Sequence, residues 1–152
     1  MENRFAIGKK ETKLMDTTQL REHFLVTGLM QLGKLSLVYT HYDRMIIGGV
    51  VPTKEAIHLD NPAELRAAYF LERREMGVIN VGGKGKIIAD EKVFDLDKLT
   101  GLYIGKSVKD VQFISINEND PALFYILSAP AHHIYPTSLC TASEATPVKM
   151  GT

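Results

Sequence analysis

Hydrophobic and polar positions alternate with a period of two through most of the chain, and this pattern predicts β-strands. The clearest segments are residues 35–42, LSLVYTHY, and residues 44–51, RMIIGGVV, which stop at Pro52. Both are rich in β-branched and aromatic residues, which suit a pleated and half-buried surface. Shorter segments of similar character follow at residues 54–59, 67–71, 77–81, 86–89, 92–96, 102–104, 110–116 and 122–128.

Turn-forming residues separate these segments. The signals are DNP at residues 60–62, GGKG at 82–85, ADE at 89–91 and NENDP at 117–121. Short strands with turns at intervals of roughly 8–12 residues are typical of an all-β sandwich or barrel. The glycines at 82–85 predict a hairpin turn rather than a phosphate-binding loop, because neither a helix nor a Lys-Ser/Thr pair follows them.

One short helix is expected ahead of the first strand. Asp16 or Thr17 is a suitable N-cap for the sequence TTQLREHF, in which Leu20 and Phe24 share one face. No long helical pattern interrupts the later segments, which argues against alternating strands and helices. The chain is therefore predicted to be all-β with a short N-terminal helix.

Composition narrows the range of partners. The chain has 152 residues, 45% of them hydrophobic, which is enough for one domain with a real core. Its 18 basic and 18 acidic residues cancel, so nucleic acid is not an expected partner. The apolar runs fall short of the roughly 20 residues of a membrane-spanning helix, and the N-terminus has no secretory signal pattern. We expect no membrane partner and a cytoplasmic location.

Cys140 is the only cysteine in the chain. A single cysteine excludes an internal disulfide and a cysteine-based zinc site within one chain. The sequence places it in a loop near the C-terminal end, and nothing near it in sequence indicates a reactive thiol.

Residues 69–86, YFLERREMGVINVGGKGK, resemble the metal-binding segment of a cupin barrel. Together with YTHYDR at 39–44, GGVVP at 48–52, LYIGK at 102–106 and the APAH…YPT words between 129 and 137, they closely resemble the N-terminal half of the 5-keto-4-deoxyuronate isomerase family. The resemblance runs from about Met15 to Pro147. It implies a cupin-like double-stranded β-helix, a jelly-roll barrel.

With that resemblance the chain divides into three parts. Residues 1–14 form an N-terminal arm, residues 15–136 the cupin-like β-barrel, and residues 137–152 a linker or tail towards a C-terminal cupin half. This last segment is small, polar and contains proline, which is typical of a linker.

The resemblance also implies that this half lacks a metal site. Family members carry zinc in the C-terminal half, through an H-x-H-x4-E segment and a later His. Laying the two halves over each other on Glu72-Arg73-Arg74 places Tyr69, Leu71, Met76 and Val108 at the ligand positions. These are poor zinc ligands, so no cofactor is expected in this chain and zinc is expected in the other half.

By resemblance the family converts 5-dehydro-4-deoxy-D-glucuronate to 3-deoxy-D-glycero-2,5-hexodiulosonate in pectin and uronate breakdown. The chain is then the non-metal half of an isomerase and is inactive alone. Its expected small-molecule partner is a sugar acid, which the full-length protein binds. The alternative is a non-catalytic cupin-like module that binds a sugar acid or builds an oligomer. A homo-oligomer is expected in either case. A third possibility is catalysis at a different site, by His41, Asp43 and Arg74.

Arg73 and Arg74 are candidates for binding the carboxylate of a uronate, because a guanidinium matches a carboxylate in a two-bonded fork. The alternative is that one of them forms a strand-edge ion pair with Glu72, Glu75 or Asp43. Lys106, after Gly105, is a further candidate to contact the acid, or else a solvated lysine.

His41 and Asp43 are two residues apart, so on a strand they would face the same side and could act as a base and its orienting group. The alternative for His41 is an exposed or interface position. His132 and His133 would point to opposite faces of a strand, which disfavours shared metal binding and favours a loop or an interdomain contact.

Overall fold

The computed structural model describes residues 1–151 and contains two β-sheets. The seven-stranded sheet has the order β1-β2-β3-β10-β5-β8-β11, and the four-stranded sheet has the order β4-β9-β6-β7. The strands are β1 (Glu2–Arg4), β2 (Leu35–Thr40), β3 (Ile46–Val50), β4 (Ile57–His58), β5 (Arg74–Asn80), β6 (Gly85–Ala89), β7 (Lys92–Leu96), β8 (Gly101–Ile104), β9 (Val111–Ser115), β10 (Phe124–Pro130) and β11 (Ser138–Cys140). The all-β prediction is confirmed.

Pairing within the sheets is antiparallel except between β1 and β2, which are parallel. The core lies between the two sheets, where the rings of Phe113 on β9 and Phe124 on β10 have their centroids 5.4 Å apart. Alternate residues of each strand enter this core, as Met76 and Val78 do on β5. The period-two pattern of the sequence is thus the pattern of burial.

The helical elements are short and lie outside the core. They are α1 (Lys9–Thr12), α2 (Thr17–Phe24) and a 3-10 turn (Ala63–Leu65), and none has a buried residue. The predicted capped helix is confirmed, since the Asp16 carboxylate accepts a hydrogen bond from the Gln19 amide and the Gln19 side chain accepts one from the Asp16 amide. Within residues 1–151, no helix is long and apolar enough to span a membrane.

The strand predicted at residues 67–71 is wrong. This segment forms bends and a turn in which the Glu72 amide donates to the Tyr69 carbonyl over 3.1 Å, and the strand begins only at Arg74. Phe70 and Leu71 are nonetheless buried in the core. An apolar run in the sequence predicts that a segment is buried. It does not predict a strand, because an irregular segment can be buried as well.

The hairpin predicted at residues 82–85 is also wrong, because the strands it joins belong to different sheets. Asn80, fully buried at the end of β5, holds this crossing in place. Its side-chain amide donates to the carbonyls of Gly83 (2.7 Å) and Leu96 (2.9 Å), while its oxygen accepts from the amides of Gly82 (3.1 Å) and Leu123 (3.2 Å). A buried side chain satisfied in this way fixes the path of the chain from one sheet to the other.

The sheet extends past the predicted barrel at both ends. β1 pairs with β2 within the predicted arm, and β11 pairs with β8 within the predicted linker. Cys140 therefore lies in a strand, where it is exposed, and the prediction of a loop for it is wrong. Strands of three residues are too short to show a period in sequence.

Candidate functional site

The centre of the barrel is filled by apolar side chains at the positions aligned with metal ligands. Leu71 and Met76 are buried in the core with 1% and 0% of their surface exposed, and Val108 packs against the same cluster. Tyr69, at the remaining position, is half-buried. Hydrocarbon groups and a thioether do not fit zinc, which proteins bind through imidazole, thiolate and carboxylate. Among residues 1–151 no three His, Cys, Asp or Glu side chains cluster closely enough to hold a metal ion.

A cavity of about 360 Å³, lined by both charged and apolar residues, opens at one end of the seven-stranded sheet. We call it the arginine pocket, because three of its lining side chains are arginines. It lies between β1, β2, the turn after β2, the 3-10 turn and the start of β5. Its lining residues are Met1, Asn3, Tyr39, His41, Arg44, Glu64, Leu65, Ala67, Phe70, Arg73, Arg74 and Pro130.

Arg74 is the most buried of these charged groups, with 8% of its surface exposed. Its Nε donates to Ser128 Oγ at 3.1 Å, and its Nη2 donates to the carbonyls of Arg44 at 2.7 Å and Ser128 at 2.9 Å. Nη1 has no partner in the described part of the chain. Every fully buried side-chain nitrogen or oxygen among the described residues has a hydrogen-bond partner, so Nη1, which has none, must be accessible to solvent. Arg74 lines the pocket.

Burial lowers the pKa of Arg74 from its ordinary value, and the positive charge of Arg44 acts in the same direction, while Tyr39 opposes them. Arginine remains protonated at neutral pH even so. No carboxylate within residues 1–151 forms an ion pair with Arg74. The ion pair predicted for one of the two arginines is therefore not formed by Arg74, whose charge is met only by neutral oxygens.

Arg73 is exposed and differs from its neighbour. Its Nη2 donates to the carbonyls of Arg66 at 2.6 Å and Leu65 at 3.3 Å, and its Nε lies 4.0 Å from a Glu72 oxygen. The predicted ion pair with Glu72 is present at the limit of contact distance, and both partners are solvent-accessible. Such a pair contributes little to stability, about 0–1 kcal/mol.

His41 and Asp43 do not form the predicted strand pair. β2 ends at Thr40, and Asp43 and Arg44 occupy the left-handed region with φ of 51° and 56°. The Met45 amide donates to the Tyr42 carbonyl at 3.2 Å, which completes a type I′ turn between β2 and β3. The His41 ring instead stacks on Phe5, with centroids 4.5 Å apart. The premise that His41 and Asp43 share a strand face is wrong.

The other candidates lie away from the arginine pocket. Lys106 is half-buried in the turn after β8, and the described residues offer its ammonium no hydrogen bond. His132 and His133 are exposed in the loop after β10, as predicted, where the ring of His133 meets that of Tyr135 edge-on at 6.2 Å.

Arg44, Tyr39 and Asn3 were not predicted as site residues. Arg44 and Tyr39 lie within the YTHYDR segment, so proximity to the candidate His41 was an available signal. Nothing in the sequence brings Asn3 to the pocket, because its position depends on the parallel pairing of β1 with β2.

Curated relatives match almost the whole chain. A 4-deoxy-L-threo-5-hexosulose-uronate ketol-isomerase of Halalkalibacterium halodurans is 48% identical over 151 residues, which are 99% of this chain and 55% of that protein. The chain belongs to this isomerase family. The enzyme of the same name from Caldicellulosiruptor bescii is 45% identical over the same shares. The chain spans about half the length of the curated relatives it matches, consistent with an N-terminal half.

Solved structures share the fold of this chain. The Schizosaccharomyces pombe Cnp3 cupin domain superposes with a TM-score of 0.50 at 13% identity, over 72% of this chain and 73% of that one. At that identity the likeness shows the fold alone, and it confirms the cupin prediction. No protein-family model matches the chain.

Proposed function

We propose that the chain supplies the non-metal half of a 4-deoxy-L-threo-5-hexosulose-uronate ketol-isomerase and does not turn over this substrate alone. The observation that carries the proposal is the 48% identity to a relative of that name over 99% of the chain, covering 55% of the relative. The apolar residues at the aligned ligand positions support a division of labour. Zinc, the cofactor expected for this family, would be held by the remaining part of the protein.

The proposal includes the setting of this reaction. The name of the relatives specifies a uronate derivative, which supports a role in pectin and uronate breakdown. A cytoplasmic location of the reaction is part of the proposal. The predicted homo-oligomer is part of the proposal and is tested below.

A chimera tests the proposed function. The matching 151-residue segment of the Halalkalibacterium halodurans relative is replaced by this chain, and isomerisation of the uronate is followed with purified protein. We expect the chimera to turn over the substrate, and the isolated chain with added zinc to give no turnover above the blank. A folded but inactive chimera would contradict the proposal, and so would an active isolated chain.

A second function, a non-catalytic module that binds a sugar acid, is favoured by one observation, the arginine pocket. It differs from the first in the expected chimera result. An inert chimera whose pocket still binds a sugar acid would support the module. Both functions are compatible with sugar-acid binding at the pocket, so binding alone does not decide between them.

A further inference from the structure

We infer that the arginine pocket binds the carboxylate of a small polyhydroxy acid without the help of a metal. The inference rests on the second function above and deepens it by naming the ligand class and the residues that would bind it. It is independent of the isomerase function, because the chimera tests turnover and the titration below tests binding.

The first support is the state of Arg74. Arg74 is a buried residue whose guanidinium is held by three hydrogen bonds to neutral oxygens and keeps Nη1 accessible. A buried cation without a counter-ion is costly, and an anion that reaches Nη1 would offset the cost of burial. The three bonds also fix the orientation of the group, so little side-chain entropy would be lost on binding.

The second support is the charge of the lining. The side chains of Arg44 and Arg73 join Arg74 at the cavity, and Glu64 is the only carboxylate among the lining residues. Glu64 forms no ion pair with any of these arginines in the described structure. Three guanidinium groups against one carboxylate give the pocket a positive potential in a chain whose formal net charge is zero.

The third support is the match to a ligand with hydroxyl groups. The side chains of Asn3, Tyr39 and Glu64 line the cavity and make no hydrogen bonds to other described residues, so they are free to meet hydroxyls. Phe70, 3% exposed, gives the pocket an apolar floor. The volume of about 360 Å³ lies in the lower part of the ~300–1,000 Å³ range of small-molecule sites.

The test is a titration of the purified chain with D-glucuronate, followed by amide chemical shifts. We expect saturable binding that weakens as salt is raised, because the attraction is between charges near the surface. D-glucose, which lacks the carboxylate, should not bind, and inorganic phosphate should bind more weakly than D-glucuronate. Equal binding of D-glucose, tighter binding of phosphate, or no binding of D-glucuronate would each overturn the inference.

Variants locate the binding. Arg44→Gly removes one guanidinium while suiting the left-handed φ of that residue, so the fold is retained. We expect its affinity for D-glucuronate to fall about tenfold, the scale of one charge-assisted hydrogen bond. Lys98→Ala removes the same charge from an exposed position outside the pocket and should leave binding unchanged. Equal affinities of the two variants would contradict the assignment to this pocket.

Discussion

Gly85 begins β6 at a point where the backbone runs against the core. A Cβ atom added there would lie 2.5 Å from Phe124 Cζ, 2.6 Å from Ala122 Cβ and 2.9 Å from the Ile114 carbonyl oxygen. Its φ lies outside the left-handed region, so conformational freedom does not explain the glycine. Close packing between the two sheets does, and it is invisible in the sequence because it depends on residues about 30 and 40 positions away.

Replacing Gly85 by alanine should therefore destabilise the fold by about 1–3 kcal/mol, the cost of overpacking a filled core. Denaturant unfolding measures it. Gly77→Ala, on β5 in the other sheet, is the matched control, because a Cβ there would meet no atom closer than 3.8 Å. A Gly85 variant as stable as the Gly77 variant would contradict this prediction, because it would show that the core accommodates the added methyl group.

Tyr103 on β8 donates from its hydroxyl to a Glu75 carboxylate oxygen at 2.8 Å. Burial, followed by this hydrogen bond and the negative charge of Glu75, raises the pKa of Tyr103 from 10.0 to about 12. The folded state thus holds the proton that the unfolded state releases, so the stabilising effect is complete below pH 10 and is lost as the pH rises towards 12.

Tyr103→Phe should remove the decrease in folding stability that accompanies deprotonation of Tyr103 at high pH. The measurement is the free energy of unfolding of both proteins from pH 9 to 11, with other groups titrating equally in each. We expect the difference between them to shrink as the pH rises. A constant difference across this range would mean that the hydroxyl does not hold its proton more firmly in the fold.

Residue types alone predicted the arginines as site candidates but not their different roles. Arg73 and Arg74 are adjacent and chemically identical, yet one is exposed and the other buried. Arg74 is the first residue of β5 and is buried, whereas Arg73 lies in the irregular segment before the strand and is exposed. The pair of His41 and Asp43 failed for the related reason that β2 ended earlier than its alternating pattern.

At the scale of elements, α2 depends on its cap rather than on packing. It has no buried residue, while the Asp16 and Gln19 side chains exchange hydrogen bonds with each other's backbone at 2.8 and 3.0 Å. At its other end, Arg4 of β1 donates to the carbonyls of Glu22 and Leu25. Polar contacts tie the C-terminal end of the helix to the sheet, while its N-terminal end is held by its own cap.

Asp16→Ala should weaken α2 by about 1 kcal/mol, the usual cost of losing an N-cap. Because the helix lies outside the core, the effect should be local. Amide hydrogen exchange in residues 17–24 should become faster while that of β5 stays unchanged. Thr18→Ala, next to the cap but without a capping bond, is the control, and equal exchange in both variants would contradict the role of Asp16.

The strands differ in how well the sequence predicts them. Those with several alternating buried residues, such as β6 and β9, were predicted close to their limits. The predicted strand at 54–59 shortens to Ile57–His58, and β1 and β11 were not predicted at all. A short edge strand forms because it pairs with a neighbouring strand. The sequence of the short segment does not indicate which strand that is, so local pattern does not predict it.

For the whole molecule, the outer face of the seven-stranded sheet is unusually apolar. Ile79 and Leu127 are 46% and 41% exposed there, beside the half-buried Tyr103 and Tyr125. An antiparallel sheet with one face in water normally carries polar residues on that face. We expect a second copy of the chain to cover it, which is the homo-oligomer expected from the sequence.

Leu127→Lys should therefore lower the apparent mass of the chain in light scattering after gel filtration, by placing a charge in the apolar patch. Val93→Lys is the control, since Val93 is 57% exposed on β7 in the other sheet. A wild-type chain that stays monomeric at high concentration would contradict the expectation. So would an equal loss of mass in both variants.

The central claim is that this cupin half has an apolar centre in place of a metal site. Zinc content after incubation with excess zinc and dialysis, measured by elemental analysis, tests it most directly. Because Leu71, Met76 and Val108 offer no strong ligand at the aligned positions, we predict far less than one zinc per chain. One tightly held zinc per chain would contradict the claim.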